Sequence, residues 1–323
     1  MKRCLSLLLG VLACGIAAAQ PAAPAPPAQG APLVILVGGP PGTPGDVVAR
    51  AISGPLGAEL GQPVVVENRP GAAGTVALAA VARARGDGNV LGVLALQSAV
   101  APALIRSLPY DTQRDLVPVR QLSSVGNLLV VRADSPFQTL EDLLRAGRAG
   151  TLTYASGGNG TPAHLAAELF AHEARAKLQH VPFNGAVAGV TAVLGGHVQM
   201  MFATAPAAAP LVQSGRLRAI AASSGQRLAV APSVPTFAEG GLAAVTVRDW
   251  HGLVAPAGAP PERVAQVAAA AGRALSSDAV RARLEAAGLE PATVSGPGEF
   301  GAWVRAEMER WAAVVHRAGI SLQ

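Results

Sequence analysis

The stretch Tyr154-Ala155-Ser156-Gly157-Gly158-Asn159-Gly160-Thr161-Pro162-Ala163-His164-Leu165 packs a strand end, a glycine turn and a helix start into one short segment. Thr151–Ser156 reads as a strand. Gly157, Gly158 and Gly160 let the backbone turn sharply and leave its amides open. Thr161 suits the N-cap, and Pro162 suits the first helical position. A helix that starts at the end of a strand offers unsatisfied N–H groups and a partial positive charge, which together suit an anion. In open α/β sheets ligands bind at that edge. A plain capped turn has the same local features, so the segment alone leaves both readings open.

Outward from this segment, strand-like runs alternate with helical ones. Leu33–Val37, Val64–Val66, Val90–Leu96 and Leu128–Val131 read as strands, as do the segments around Val181–Phe183 and Val198–Phe202. Helices are expected from about Asp46, after Gly71-Ala72-Ala73-Gly74, after Thr139 with Asp142 as capping pair, and around Val190, Val193 and Leu194 before Gly195-Gly196. Beyond Trp250 the pattern turns to long helices over Glu262–Leu275, Ala279–Ala287 and Glu299–His316. Phe300, Trp303, Val304, Met308, Trp311 and Val315 form an apolar stripe on the last, which reads as core. The alternation predicts α/β layers with a largely parallel sheet. Gly54-Pro55 falls inside the first helix, where a kink or early stop is expected.

The amino terminus reads as an export signal over residues 1–19. Met1-Lys2-Arg3 is basic, Leu5 to Ile16 is apolar, and Ala17-Ala18-Ala19 supplies small residues for cleavage before Gln20. Val11-Leu12-Ala13-Cys14 loosely resembles a lipobox, but Leu12 fits it poorly, so soluble release to the periplasm is the expectation and a lipid anchor on Cys14 the alternative. Residues 20–31 (QPAAPAPPAQGA) read as a Pro/Ala-rich linker. Both cysteines, Cys4 and Cys14, lie in the leader, so a chain cut after Ala19 has neither disulfide nor thiolate metal site. About 300 residues then remain, enough for two α/β domains. The net charge of +5 becomes +3 without Lys2 and Arg3, and the basic residues are scattered. That pattern gives no reason to expect nucleic acid.

Signals for catalysis are thin. The six histidines show no metal-ligand spacing, and neither a G-x-S-x-G elbow nor a phosphate loop occurs. Gly158-x-Gly160-x-x-Ala163 brushes against the dinucleotide fingerprint, yet the next strand region, Leu178 to Phe183, lacks the acidic residue that would hold a ribose. Asp249-Trp250-His251 sets acid and imidazole in one strand, where immediate neighbours face opposite ways. His164 reads as a packing or capping residue. No catalytic residue, cofactor or metal is expected. A second strand-to-helix loop, Gly38-Gly39-Pro40-Pro41-Gly42-Thr43-Pro44-Gly45-Asp46, has amides at Gly42, Thr43 and Gly45 that could meet a carboxylate. Read blandly, it is a rigid proline loop.

Several ordered segments resemble one family. They are Gly61-Gln62-Pro63-Val64-Val65-Val66-Glu67-Asn68-Arg69-Pro70-Gly71-Ala72, Leu108-Pro109-Tyr110-Asp111 with Val117-Pro118-Val119, and the Tyr154–Leu165 run extended to Phe170. Val181-Pro182-Phe183-Asn184-Gly185, Gly215-Arg216-Leu217-Arg218-Ala219, Val234-Pro235-Thr236 and Trp250-x-Gly252-Leu253-x-Ala255-Pro256-Ala257-Gly258 follow in order. Together they are similar to the Bug receptors, the TctC-like substrate-binding proteins of tripartite tricarboxylate transporters. The resemblance implies a type II periplasmic-binding fold, two α/β lobes joined by two crossing strands that close like a Venus flytrap. It implies residues 32–127 with 252–323 as lobe one and 128–251, crossing strands included, as lobe two. By position, Pro41, Gly42, Thr43, Gly45, Asp46, Gln97 and Ser98 would bind ligand from lobe one, and Ser156, Gly157, Gly160, Thr161, Asn184 and Ala203 from lobe two.

The implied role is capture of a small organic carboxylate by a monomeric receptor and delivery to membrane permease subunits. A sensor-kinase receptor of the same fold is the alternative, and a secreted hydrolase a more distant one. The family's first loop usually reads Pro-Phe-x-Pro-Gly-Gly-Ser-Thr-Asp. Here Gly38-Gly39 and Pro44-Gly45 depart from it, and Ala203 stands where an aspartate is common. These departures point to a carboxylate without an α-amino group, aromatic or larger than a dicarboxylate.

Overall fold

The computed structural model describes residues 30–292 and 296–320. The expected leader and residues 20–29 of the expected linker lie outside the described residues. The chain opens with β1 (Leu33–Val37), α1 (Pro44–Leu60), β2 (Val64–Asn68), α2 (Thr75–Ala82), β3 (Val90–Ala95), α3 (Leu96–Leu104) and β4 (Leu116–Val125). It continues through β5 (Asn127–Arg132), α4 (Leu140–Ala149), β6 (Thr151–Ser156), α5 (Pro162–Ala174), β7 (Lys177–Pro182), α6 (Ala186–Leu194), β8 (Met200–Thr204), α7 (Ala205–Gln213) and β9 (Leu217–Ala222). It ends with β10 (Asp249–Pro256), α8 (Pro261–Ser276), α9 (Asp278–Ala286), β11 (Glu290–Pro291) and α10 (Pro297–Ala318).

These strands form two sheets, one ordered β11-β4-β10-β3-β1-β2 and the other β7-β6-β8-β5-β9. The expected parallel arrangement is only part of the pattern. In the first sheet β10 runs antiparallel to both β3 and β4, and in the second β5 runs antiparallel to both β8 and β9. The physical reason is where each strand enters. Strands β1, β3, β6 and β8 finish at the space between the sheets, whereas β5 and β10 arrive from the other sheet and run away from that space. Hydrophobic pattern carries no information about direction, so this feature was not readable from it.

The chain crosses between sheets at Gly126 and returns over residues 223–248. The two crossings are stitched together: Ser223 N–H donates to Asn127 O at 2.9 Å, Val247 N–H to Ser223 O at 2.8 Å, and Ser223 Oγ to Val247 O at 2.9 Å. The product is two α/β lobes joined by two crossings, the flytrap architecture. Sheet switching places Asn127 in the second sheet and Asp249, Trp250 and His251 in the first.

Local chemistry explains the element ends. Thr139 and Asp142 form the expected capping box at α4, each side chain accepting the other's backbone N–H. Gly61, with φ 65°, closes α1 by donating to Gly57 O. The expected stop at Gly54-Pro55 does not occur, since α1 runs through Pro55 to Leu60. Ile52 and Leu56 on either side of the proline are fully buried, and that packing keeps the helix going despite one lost hydrogen bond. The three C-terminal helices end within two residues of expectation. Phe300, Val304, Trp311 and Val315 of α10 are buried, with Trp303 and Met308 packed at the margin, so the stripe is core. Trp250 meets it edge-on, 4.7 Å from Trp303 and 6.0 Å from Phe300 between ring centroids.

Candidate ligand-binding cleft

A cleft of about 1070 Å³ opens between the two sheets. Five helices begin at it: α1 after β1, α3 after β3, α5 after β6, α6 after β7 and α7 after β8. Each first turn leaves amides without an intrahelical carbonyl, and each carries the positive end of a helix dipole. Thr43 and Gly45, Gln97 and Ser98, Thr161 and Ala163, Ala186 and Val187, and Pro206 and Ala207 bring those turns to the surface of the cleft. Among its described lining residues none is Lys or Arg. The positive potential is therefore built from backbone.

The first loop is held by a small polar knot. Asp46 accepts from Gly42 N–H at 2.9 Å, from Arg50 Nε at 2.9 Å and from Asn68 Nδ2 at 2.9 Å, while Asn68 Nδ2 also donates to Gly39 O at 2.9 Å. Thr43 Oγ1 donates to Pro40 O at 2.8 Å. Gly38 lies where the loop passes the 71–74 segment: a Cβ there would come within 2.4 Å of Gly74 Cα. That approach is the physical reason for a glycine at this point. Ala72 and Ala73, at φ 45° and 55°, take the left-handed backbone that favours glycine, and both line the cleft. Ser98 Oγ holds the strained turn by donating to Ala73 O at 2.8 Å.

The Gly157–Thr161 loop rests on a buried network. Ser156 Oγ lies 2.6 Å from His180 Nε2, and Gly158 N–H donates to Ser156 Oγ at 3.0 Å. His164 Nδ1 accepts from Gly160 N–H at 3.2 Å, and its ring stacks on His180 at 4.4 Å. Tyr154 stacks on the other side of His180 at 4.8 Å and donates its hydroxyl to Glu168. Burial pushes both imidazoles down to about 4, and each therefore stays neutral at ordinary pH. Burial also raises the Tyr154 phenol, helped by Glu168.

Of the residues expected at the site, Pro41, Gly42, Thr43, Gly45, Gln97, Ser98, Gly157, Thr161 and Asn184 lie on the cleft surface. Asp46, Ser156, Gly160 and Ala203 do not. Asp46 points into the knot, Ser156 into the histidine network, and Gly160 spends its amide on His164. Ala203 is wholly buried in β8, so the argument about a missing ammonium partner does not hold at that position. A carboxylate is nevertheless present. Asp249 and His251, whose pairing was set aside because immediate neighbours in a strand diverge, both line the cleft, being two residues apart and so on one face. Burial raises the Asp249 carboxyl, opposed by His251, and lowers the His251 imidazole, opposed by Asp249. Phe183 and Val187 add apolar wall from the second lobe, whereas the Met201 and Phe202 side chains are fully buried.

The family model for the tripartite tricarboxylate transporter family receptor matches residues 48–320. This chain belongs to that family. Similar proteins include BugT of Bordetella pertussis, 35% identical over 98% of this chain and 98% of the relative. The receptor also resembles the solved periplasmic binding protein BugD, with a TM-score of 0.82 and 27% identity over 90% of this chain and 99% of that one. An adipate-bound protein of R. palustris gives a TM-score of 0.81 at 30% identity, covering 90% of this chain and 99% of that one. MatC of Rhodopseudomonas palustris, with bound malate, gives 0.78 at 32% identity over 88% and 99%. Like these relatives, the receptor has the two-lobed binding fold, and its family consists of solute-binding proteins rather than enzymes.

Proposed function

We propose that this receptor captures a small organic carboxylate in the periplasm and delivers it to the permease subunits of a tripartite tricarboxylate-type transporter. The observation that carries the reading is the convergence of five helix N-termini on a cleft with no Lys or Arg among its described lining residues. Orphan amides bind a carboxylate strongly without the desolvation cost of a buried cation. The nine cleft residues from the two loops and strand ends are proposed to contact ligand or the waters around it. The bound malate and adipate of two relatives support a carboxylate. A cleft of about 1070 Å³ with Phe183 and Val187 in its wall suits an acid that is aromatic or longer than a simple dicarboxylate.

The same reading has residues 1–19 as a cleaved export signal, the mature chain as a soluble monomer, and lobes over 32–127 with 252–323 and over 128–251. Near those limits Asn127 pairs in the second sheet and Asp249 to His251 in the first. A thermal-shift screen of mature protein against mono-, di- and tricarboxylates and amino acids tests the proposal. A ligand at about a hundred times its Kd stabilises by roughly 2.7 kcal/mol. Stabilisation by one class of carboxylate is expected, and a response to amino acids alone overturns it.

A further inference from the structure

The helix N-termini account for an anion at one end of the ligand and leave one polar pair on the cleft surface without a task. Asp249 and His251 stand two residues apart at the start of β10, on the face that lines the cleft. Gly45 makes room for the imidazole: a Cβ there would lie 3.2 Å from His251 Cδ2. Asp249 Oδ1 already accepts the Trp250 N–H at 2.8 Å, which leaves Oδ2 for other work. Ser123 Oγ lies 3.5 Å from His251 Nδ1, and the Asp249 carboxylate beside Nε2 favours the tautomer that carries the ring proton on Nε2. Nε2 and Oδ2 then stand side by side as donor and acceptor. They are 3.6 Å apart, too far to satisfy each other by a hydrogen bond.

We infer that Asp249 and His251 form a specificity subsite for a hydroxyl group on the carboxylate ligand. The inference rests on the carboxylate-receptor reading. A hydroxyl meets both atoms at once, because its O–H donates to Oδ2 and its oxygen accepts from Nε2–H. A methylene at the same place leaves both groups unpaired. A second carboxylate faces the Asp249 charge, and an ammonium offers Nε2–H nothing to bond. The preferred ligand is therefore a hydroxy acid.

Calorimetric titration with matched acids tests this. Succinate, malate and aspartate differ only in hydrogen, hydroxyl or ammonium at one carbon, as do 3-phenylpropanoate, 3-phenyllactate and phenylalanine. Tricarballylate and citrate form a further pair. In whichever set binds, the hydroxyl member is expected to bind at least about tenfold more tightly than its hydrogen counterpart. Asp249→Asn, which keeps the acceptor for Trp250, and His251→Gln should each shrink that ratio to within about threefold while leaving the melting temperature and the affinity of the hydrogen member near wild type. Equal binding of hydroxyl and hydrogen members by the wild type overturns the subsite and spares the receptor reading. So does tightest binding of the ammonium member, or a parallel loss of all affinities in both variants. Failure of every acid to bind overturns the receptor reading, and the subsite with it.

Discussion

Asn68 shows how one side chain can set a binding loop without lining the cleft. Its amide nitrogen donates to Gly39 O and to Asp46, and its oxygen accepts from Arg50, so the end of β2 is tied to the first loop. Asn68→Ala removes all three bonds. If about 1–2 kcal/mol of the loop order these bonds supply is lost to binding, a roughly five- to thirtyfold weaker ligand affinity is the expected outcome, measured by calorimetry. The histidine pair beneath the other loop has a different signature. His164 and His180 sit at about 4 in the folded receptor against 6.5 for a free imidazole, because burial disfavours the charged ring. Between these values the unfolded chain binds more protons than the folded one. Stability is thus fully present above about pH 6.5 and falls as pH drops toward 4. Urea melts at neutral and mildly acidic pH should show the loss, and a double His164→Gln, His180→Gln variant should show less of it.

At the scale of elements, the join between β10 and α10 decides whether the C-terminal helix can close the core. A Cβ on Gly252 would lie 2.1 Å from Phe300 Cζ and 3.0 Å from Arg120 O. Phe300 is fully buried and packed with Trp303 and Trp250, so it has no free volume to move into. Gly252→Ala is expected to destabilise by about 1–3 kcal/mol through overpacking, seen as a lower melting temperature in calorimetry. The glycine belongs to the Trp250-x-Gly252 motif, which the sequence presented as a family marker. Its work is steric. Likewise Gly126 sits at the first crossing, where a Cβ would come within 2.3 Å of Leu228 Cδ2. Both glycines are places where two elements meet at less than side-chain distance, and nothing in a periodic pattern announces such a meeting.

For the whole molecule, the two crossings are the mechanical fact. Asn127, Ser223 and Val247 bind them to one another, so the lobes are joined through a short stitched segment while each sheet belongs to one lobe. The cleft is lined from both lobes, so on the proposed carboxylate-receptor reading the ligand is expected to gain its full set of partners when the lobes approach. Solution scattering with a saturating carboxylate is expected to give a smaller radius of gyration than ligand-free protein. An unchanged radius would mean that the lobes bind without closing.

The amino-acid pattern by itself determined the alternation of strands and helices, the capping box at α4, the core stripe of α10 and the two glycine loops that begin helices at the cleft. These are local properties, set by residues a few positions apart, and a chain reading along its own length can express them. The order of motifs also carried the family. What tertiary structure alone decided is which groups face the cleft. Asp46, Ser156 and Gly160 belong to the right segments yet turn away, because Arg50, His180 and His164 claim their polar atoms. Asp249 and His251 come forward because β10 enters the first sheet at the cleft and Gly45, far away in sequence, leaves space for the imidazole. Such choices rest on contacts between distant segments, whose geometry exists only once the sheets have formed.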